Sequence, residues 1–530
     1  MIGTRTRKQG SKGTAPGIGG TRGIGARGIG EAQGTEDTRG IGKARAKAVP
    51  RHATGRLRAV TALLACVLSA CSTAPEYLPP SVELPAAFRH ATAEDGWQPA
   101  RPAQAGTEAW WTVFDDRRLD LLMAALDDGN QDLRVAEANY RQALAAVDGA
   151  RAGLYPQVSA GAAASRSRVA SRSTGLAERT GSAGTRNDYI VDLQASWELD
   201  LWGRVRAGSA VAEASAAASA ADLAAIRLSL QAQLAQSYFE LRVADAQRRV
   251  LADTVLSYRR SLKLTRDRLA VGVAARGDVA QAEAQLKNAE AQALELELAR
   301  AQLEHAIAVL TGHAPAKLAV PQADLDQLVP TIPAGLPSAL LERRPDVAAA
   351  ERRVAAANAQ IGVARAAYFP SLVLSADGGL RADRLGDLLS LPNRFWSLGP
   401  ALAMALFDGG ARLAASEQAL AAYDATVAAY RRTVLSALLE VEDSLVAHAL
   451  LAEQERVQRE ALAAARTSLE IVTNQYKAGT VSFLNVIQVQ TTALQAERAV
   501  LELRGRRLAA AIALIRAIGG GWQAPLRESR

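Results

Sequence analysis

Five histidines (His52, His90, His305, His313 and His448) and two cysteines (Cys66 and Cys71) are the side chains best able to ligate a metal or act as nucleophiles in this chain of 530 residues. The histidines are scattered without a metal-ligand spacing, and neither a nucleophile elbow nor a phosphate-cradling loop occurs. No catalytic residue and no metal site is therefore expected. Gly17-Ile18-Gly19 with Gly23 has the letters of a dinucleotide loop, but no strand pattern precedes it and no amphipathic helix follows. Arg276-Gly277-Asp278 spells an adhesion tripeptide, yet it sits where a helical pattern begins, and Asp278 is expected to act there as an N-cap.

The thiol best placed for chemistry is Cys71. Arg56 and Arg58 precede an apolar run that is too short to cross a bilayer as a stable helix and has the length of a secretory signal. The run ends in Leu68-Ser69-Ala70-Cys71, which resembles the bacterial lipobox, so the only attached group expected is a diacylglycerol and palmitate on Cys71. Ser72 after it resembles the outer-membrane sorting pattern. Cys66 would leave with the signal, so no disulfide is expected. Residues 1–50 are a Gly/Arg-rich tract without apolar periodicity, too long for the start of a signal, which predicts translation beginning nearer Val49 or Val60.

The formal charge of +8 would ordinarily suggest an anionic partner, but residues 1–70 hold 13 Lys/Arg against 3 Asp/Glu, which leaves the rest of the chain at about −2. A nucleic-acid partner is therefore not expected.

The elements that follow are organised by an internal duplication. Ala150-Arg151-Ala152-Gly153-Leu154-Tyr155-Pro156 recurs as Ala364-Arg365-Ala366-Ala367-Tyr368-Phe369-Pro370. Leu201-Trp202-Gly203-Arg204 aligns with Phe407-Asp408-Gly409-Gly410, and Val271-Gly272 with Ala478-Gly479, at offsets of 214, 206 and 207. Each half reads as helix, two strands, very long helix, turn, helix. Tyr189, Val191, Leu193, Ala195, Trp197, Leu199 and Leu201 alternate with polar, mostly acidic residues, as in a membrane strand with lipid on one side and a wet lumen on the other. Weaker alternation marks a partner near 157–170, and Leu372 to Ala376, then Trp396 to Leu406, repeat the scheme. Tyr189, Trp197, Trp202, Phe395 and Trp396 are candidates for interfacial aromatic girdles. Four strands cannot close a barrel, and an open edge in hydrocarbon is costly, so the chain must oligomerise; three copies give twelve strands and a lumen.

Helices are predicted over about 204–268 and 411–476, each far longer than a globular domain allows, with alanines such as Ala207, Ala210, Ala214 and Ala217 permitting close approach. Each reverses at a glycine-bearing turn, where Ser482, like Asp278, is a candidate N-cap.

Trp110-Trp111 with Phe114-Asp115 and Leu119, then Leu340-Leu341-Glu342-Arg343-Arg344-Pro345-Asp346-Val347, then Ala356-Asn358-Ala359-Ile361-Gly362 leading into Phe369-Pro370, resemble the TolC-like outer membrane factor family. The match is to its lipidated, NodT-type branch, which serves resistance-nodulation-division efflux systems. The resemblance implies a mixed, mainly α fold: a homotrimer with a twelve-stranded outer-membrane β-barrel, four strands per chain, continuing into a long periplasmic α-helical barrel. It divides the chain into a leader (1–70), a lipidated extension (71–115), a first repeat (116–311), an equatorial linker (312–335), a second repeat (336–518) and a tail (519–530). It implies a passive, non-enzymatic exit duct of a tripartite efflux pump. Its partners would be outer-membrane lipid, a periplasmic adaptor protein and an inner-membrane transporter. Two alternatives stay open: the duct of a type I protein secretion system, and a purely structural periplasmic lipoprotein.

In such a family the two reversal turns form the periplasmic tip. The resemblance makes Asp278 and Tyr476 a gate contact between neighbouring coils. It places Asn485 and Gln488 where some members carry aspartate rings, so weak cation selectivity is expected. Gly272, Val273, Gly277, Gly479, Thr480 and Val481 would meet the adaptor.

Overall fold

In this computed structural model, residues 75–90, 109–168, 185–325, 329–330 and 343–521 are described. The leader, Cys71, the parts of the linker and second repeat at 331–342, and the last nine residues lie outside the described residues.

Helices α1 (Arg117–Gly129) and α2 (Gln131–Ala152) lead into strands β1 (Gln157–Arg168) and β2 (Thr185–Leu199). A long helix, α3 (Arg204–Ala270), then turns back as α4 (Arg276–Leu310). The second half repeats this with α5 (Pro345–Ala366), β3 (Ser371–Ala382), β4 (Arg394–Ala403), α6 (Ala411–Lys477) and α7 (Phe483–Ala517). Both long helices hold 67 residues, about 100 Å at the α-helical rise. Among the described residues no helix is apolar enough to cross a membrane.

The long helices begin with the same device twice. Gly203 and Gly410 take left-handed backbones, with φ of 78° and 93°, a conformation that glycine adopts without a Cβ clash. Just upstream, Asp200 accepts from the Val205 and Arg206 N–H groups at 2.9 and 2.8 Å. Asp408 likewise accepts from the Gly410 and Arg412 N–H groups at 3.1 and 3.2 Å. A carboxylate at a helix N-terminus satisfies orphan donors and sits at the positive end of the dipole. Arg412, followed by the Gly410 N–H, holds the Asp408 carboxyl below its usual range.

The strands form one antiparallel sheet in the order β1-β2-β3-β4, leaving β1 and β4 as its edges. Two expected strand ends are corrected: β2 stops at Leu199 and β4 at Ala403, so Leu201, Met404 and Leu406 lie outside them. The turn to the long helix has to begin there so that the aspartate can reach the helix start.

The largest apolar core lies midway along the helices. Trp110, Phe114, Leu119, Met123 and Leu126 pack against Tyr238, Phe239, Ile307, Val320, Leu508 and Ile512. Residues of the equatorial linker, Val320 and Leu325, and the end of α7 share this core with the segment before α1. Asp116 caps α1 by accepting from the Arg118 and Leu119 N–H groups at 2.9 and 3.2 Å, and also accepts the Tyr238 hydroxyl at 2.6 Å. Burial, with that bond, pushes the Tyr238 phenol up to about 12.

The arginine motif holds the second repeat. Arg344 grips Asp346 at 2.6 and 3.0 Å, Glu440 at 2.8 Å and the Ala517 carbonyl at 3.1 Å. It ties α5 to α6 and to the end of α7. The alanine face of α3 is offset from expectation: Ala207, Ala216, Ala218 and Ala221 are buried, while Ala210 and Ala217 are exposed in the single chain. Helix α5 packs along α3 and fixes which stripe is covered.

Candidate functional site

The far ends of the long helices meet at a tip built from both reversal turns. Gly272 and Gly479 have φ of 78° and 81°, and the next N–H folds back in each case: Val273 to the Arg268 carbonyl at 2.9 Å, Thr480 to that of Gln475 at 3.0 Å. This closure satisfies end carbonyls and requires a positive φ at the glycine. Gly277 has ordinary helical backbone and open space around it. Val271, Gly272, Val273, Gly277, Gly479 and Thr480 are exposed, and Val481 is half-buried against the tip core.

That core unites the two halves. Leu262 and Tyr258 of α3, Ala282 and Leu286 of α4, and Tyr476, Phe483 and Val486 around the second turn form one buried cluster. Tyr476 packs against Phe483 with ring centroids 5.5 Å apart. Arg268, in the last turn of α3, lays its guanidinium 4.6 Å from the Tyr476 ring centre and donates to the Tyr476 carbonyl at 3.3 Å. Deeper in, Gln285 donates to the Tyr258 hydroxyl at 3.0 Å and the Thr491 hydroxyl at 2.9 Å, and Arg498 donates to Gln292 at 3.1 Å. Burial raises the Tyr258 phenol above its usual value.

Of the gate residues, Tyr476 is buried in this core while Asn485 and Gln488 are exposed. Within the single chain no hydrogen bond joins Asp278 to Tyr476 among the described residues. The Asp278 carboxylate instead accepts the Ala275 N–H at 3.1 Å. The expected N-cap is corrected by three residues: Ala275 is the N-cap, and Asp278 closes the first turn from the third helical position. Ser482 does occupy the N-cap of α7, but its hydroxyl makes no capping bond. Arg268, Gln285 and Arg498, which sequence reasoning missed, carry the cross-links. Their pattern in the chain is that of ordinary solvated helix residues.

At the opposite end, strand parity and register sort the sheet into two faces. Val158, Val191, Leu193, Trp197, Leu374, Trp396, Leu398 and Leu402 share one face, and several are widely exposed. Ser159, Asp188, Asp192, Gln194, Asp377, Arg381 and Ser397 share the other. There Arg381 grips Asp188 with two bonds of 2.7 and 2.8 Å, and Gln194 donates to Asp192 at 2.6 Å. The aromatic expectation needs correction in part. Tyr189, Trp197 and Trp396 lie on the apolar face, but Phe395 falls on the polar one. Trp202 lies beyond β2, stacked on Phe369 at 4.7 Å and donating to the Pro370 carbonyl at 2.7 Å.

A strap links this end to the middle. Asn358 donates to the Pro75 carbonyl at 3.0 Å, the Tyr77 hydroxyl donates to Glu351 at 2.6 Å, and the Arg89 N–H donates to Glu442 at 2.7 Å. The segment from Pro75 therefore runs antiparallel to α5, away from the sheet, until Phe88 enters the central core.

Comparison with known proteins fits this geometry. Residues 122–313 and 336–520 match the family model described as outer membrane efflux protein. The chain is 34% identical over 464 residues to the probable efflux pump outer membrane protein TtgC of Pseudomonas putida, covering 87% of this chain and 95% of that one. It is 33% identical over 474 residues to the pyoverdine export outer membrane protein OpmQ of Pseudomonas aeruginosa, covering 88% and 98%. Among solved structures, the outer-membrane channel OprN matches with a TM-score of 0.77 and 33% identity, covering 85% of this chain and 99% of that one.

Proposed function

We propose, from the premise that this chain belongs to the outer membrane efflux protein family, how its geometry performs export and with what partners. It is an outer-membrane efflux channel that reaches into the periplasm. The observation that carries this is a four-stranded sheet, apolar on one face and polar on the other, with both edges unpaired among the described residues and helices of about 100 Å at its base. Backbone groups on an open edge in hydrocarbon cost several kcal/mol each, so the edges of neighbouring copies must pair. Three copies close twelve strands around a lumen, lined by the face that bears Asp192 and Asp377.

Gating lies at the tip, with Asn485 and Gln488 at the constriction and Asp278 and Tyr476 holding the two turns beside it. Opening needs the second coil to leave the first, and the Arg268–Tyr476 and Gln285–Thr491 contacts are what it must break. A periplasmic adaptor protein seats on the exposed turns around Gly272, Val273, Gly277, Gly479, Thr480 and Val481, and an inner-membrane transporter of the resistance-nodulation-division class supplies the energy. The strap supports a lipid anchor on Cys71.

The test pairs two measurements. Purified protein in planar bilayers should form channels that are closed at rest. Cells without the gene should retain a fluorescent efflux substrate that the intact gene clears. Purified trimers that never conduct would refute the channel.

A further inference from the structure

The two ends of the sheet handle charge differently. At the end that joins the helices, Arg204 meets Glu198 at 2.6 Å, Arg206 meets Asp200 at 3.1 Å and Arg412 meets Asp408 at 2.5 Å. At the far end, Arg381 meets Asp188, whereas Arg166, Arg168, Arg384 and Arg394 are exposed and form no ion pair among the described residues. The described residues that border the two strand connections here, 166–168, 185–186 and 381–394, carry six arginines against two carboxylates.

Position sharpens the point. By strand parity Arg166 and Arg168 continue the face of Val158, Ala160, Ala162 and Ala164, and Arg394 continues that of Trp396 and Leu398. They therefore stand on the outside of the barrel, at the outer edge of its apolar band, rather than in the lumen. In the same β3–β4 loop, Leu385, Leu389 and Leu391 are 66%, 82% and 75% exposed. Unpaired cations above an apolar band, interleaved with exposed leucines, make a surface that seats at a lipid interface: guanidinium forks bind phosphate bidentately, and leucines enter the acyl layer.

We propose that Arg166, Arg168, Arg384 and Arg394 form a collar that binds the phosphorylated glycolipid headgroups of the outer leaflet. This rests on the membrane-channel reading above. Cations left unpaired in the chain are matched by anions that the membrane supplies, which fixes the height of the barrel and ties it to its surrounding lipid. The planar fork, not charge alone, favours phosphate monoesters over a diffuse anionic surface.

The test uses the purified full-length trimer incubated with bisphosphorylated lipid A, with its dephosphorylated form, or with phosphatidylglycerol, and retained lipid is quantified by mass spectrometry after gel filtration. Each arginine near an anionic surface contributes on the order of a fivefold preference. The wild type should therefore keep at least about tenfold more bisphosphorylated than dephosphorylated lipid A. Combined Arg166→Gln, Arg168→Gln, Arg384→Gln and Arg394→Gln should abolish that preference. The same four positions changed to Lys should keep part of it. Equal retention by wild type and the Gln variant, or phosphatidylglycerol held as well as lipid A, overturns the proposal. Trimer migration and bilayer conductance are read on the same preparations. A variant that assembles and conducts but keeps its lipid sinks the collar alone, while a wild type that neither assembles nor conducts sinks the channel on which it rests.

Discussion

The turn after α3 and the turn after α6 use the same backbone for different ends. Both place a glycine at positive φ, and both fold the following N–H back five residues. At positions 207 residues apart, however, the side chains diverge. Leu269 corresponds to Tyr476, Arg276 to Phe483, and Asp278 to Asn485. The first turn is self-sufficient: Asp278 closes its own helix start by accepting from Ala275. The second has no such bond, since the Ser482 hydroxyl does not cap, and it is held instead by burying Tyr476 and Phe483 and by the grip of Arg268. Duplication thus supplied two equivalent hinges, and substitution made one stable in isolation and the other dependent on its neighbour. A dependent hinge is the one that a partner can release.

The largest effect should come from removing what the second turn depends on. Truncating a buried aromatic costs about 3 kcal/mol, which would shift a closed–open balance by roughly a hundredfold if that contact exists only in the closed state. Tyr476→Ala should therefore leak at rest, whereas Leu269→Ala at the duplicate position should leave resting conductance near that of the wild type. Single-channel recording of both decides it. Equal conductance in the two variants would mean the turns are not functionally distinct.

Much of the architecture behind this comparison was readable in the chain. The repeated Ala-Arg-Ala segment and the glycine recurring before each long helix marked the duplication, and alternation from Tyr189 to Leu199 marked a strand with one wet face. The long helices were expected over about 204–268 and 411–476 and extend over Arg204–Ala270 and Ala411–Lys477. Periodic patterns of that length leave little freedom. What escaped were features set by backbone dihedrals or by distant partners. Whether Asp278 is itself the N-cap or closes the turn from the third helical position depends on where the helix begins, and sequence fixes this only to within a few residues. Trp202 looked like a girdle residue because its stacking partner, Phe369, comes from the other half. The strap from Pro75 to His90 has no periodicity, so its course along α5 is visible only through the bonds of Tyr77 and Asn358. Arg268 sits among Lys263, Arg266 and Asp267, all solvated, and nothing local sets it apart.

A smaller effect should separate stability from gating in the first turn. Asp278→Ala removes a bond that acts within one helix end, worth about 1 kcal/mol. Amide hydrogen exchange over residues 275–279 should accelerate about fivefold. If closure depends on the second turn alone, resting conductance should hardly move. A leak as large as that of Tyr476→Ala would instead place Asp278 in an inter-coil latch, and the first turn would lose its independence.

The smallest effect on opening, and the most specific, lies at the position duplicate to Asp278. Asn485 and Gln488 are exposed amides one turn apart on α7. In a threefold channel each would form a ring of three. Amides keep such a ring polar without charge. Three carboxylates would attract cations and, by mutual repulsion, raise one another's pKa. Asn485→Asp with Gln488→Asp should therefore leave the closed–open balance nearly intact while converting a weakly selective pore into a cation-selective one, measured as a reversal-potential shift across a salt gradient. The shift should fade as pH falls through the raised carboxylate range, because the rings neutralise there. If the wild type already excludes anions strongly, selectivity does not reside at these two positions, and the carboxylates of the strand lumen, Asp192 and Asp377, become its source. If the double variant also leaks, Asn485 holds the second turn shut, and the division between a self-capped hinge and a neighbour-held one would have to include the amide itself.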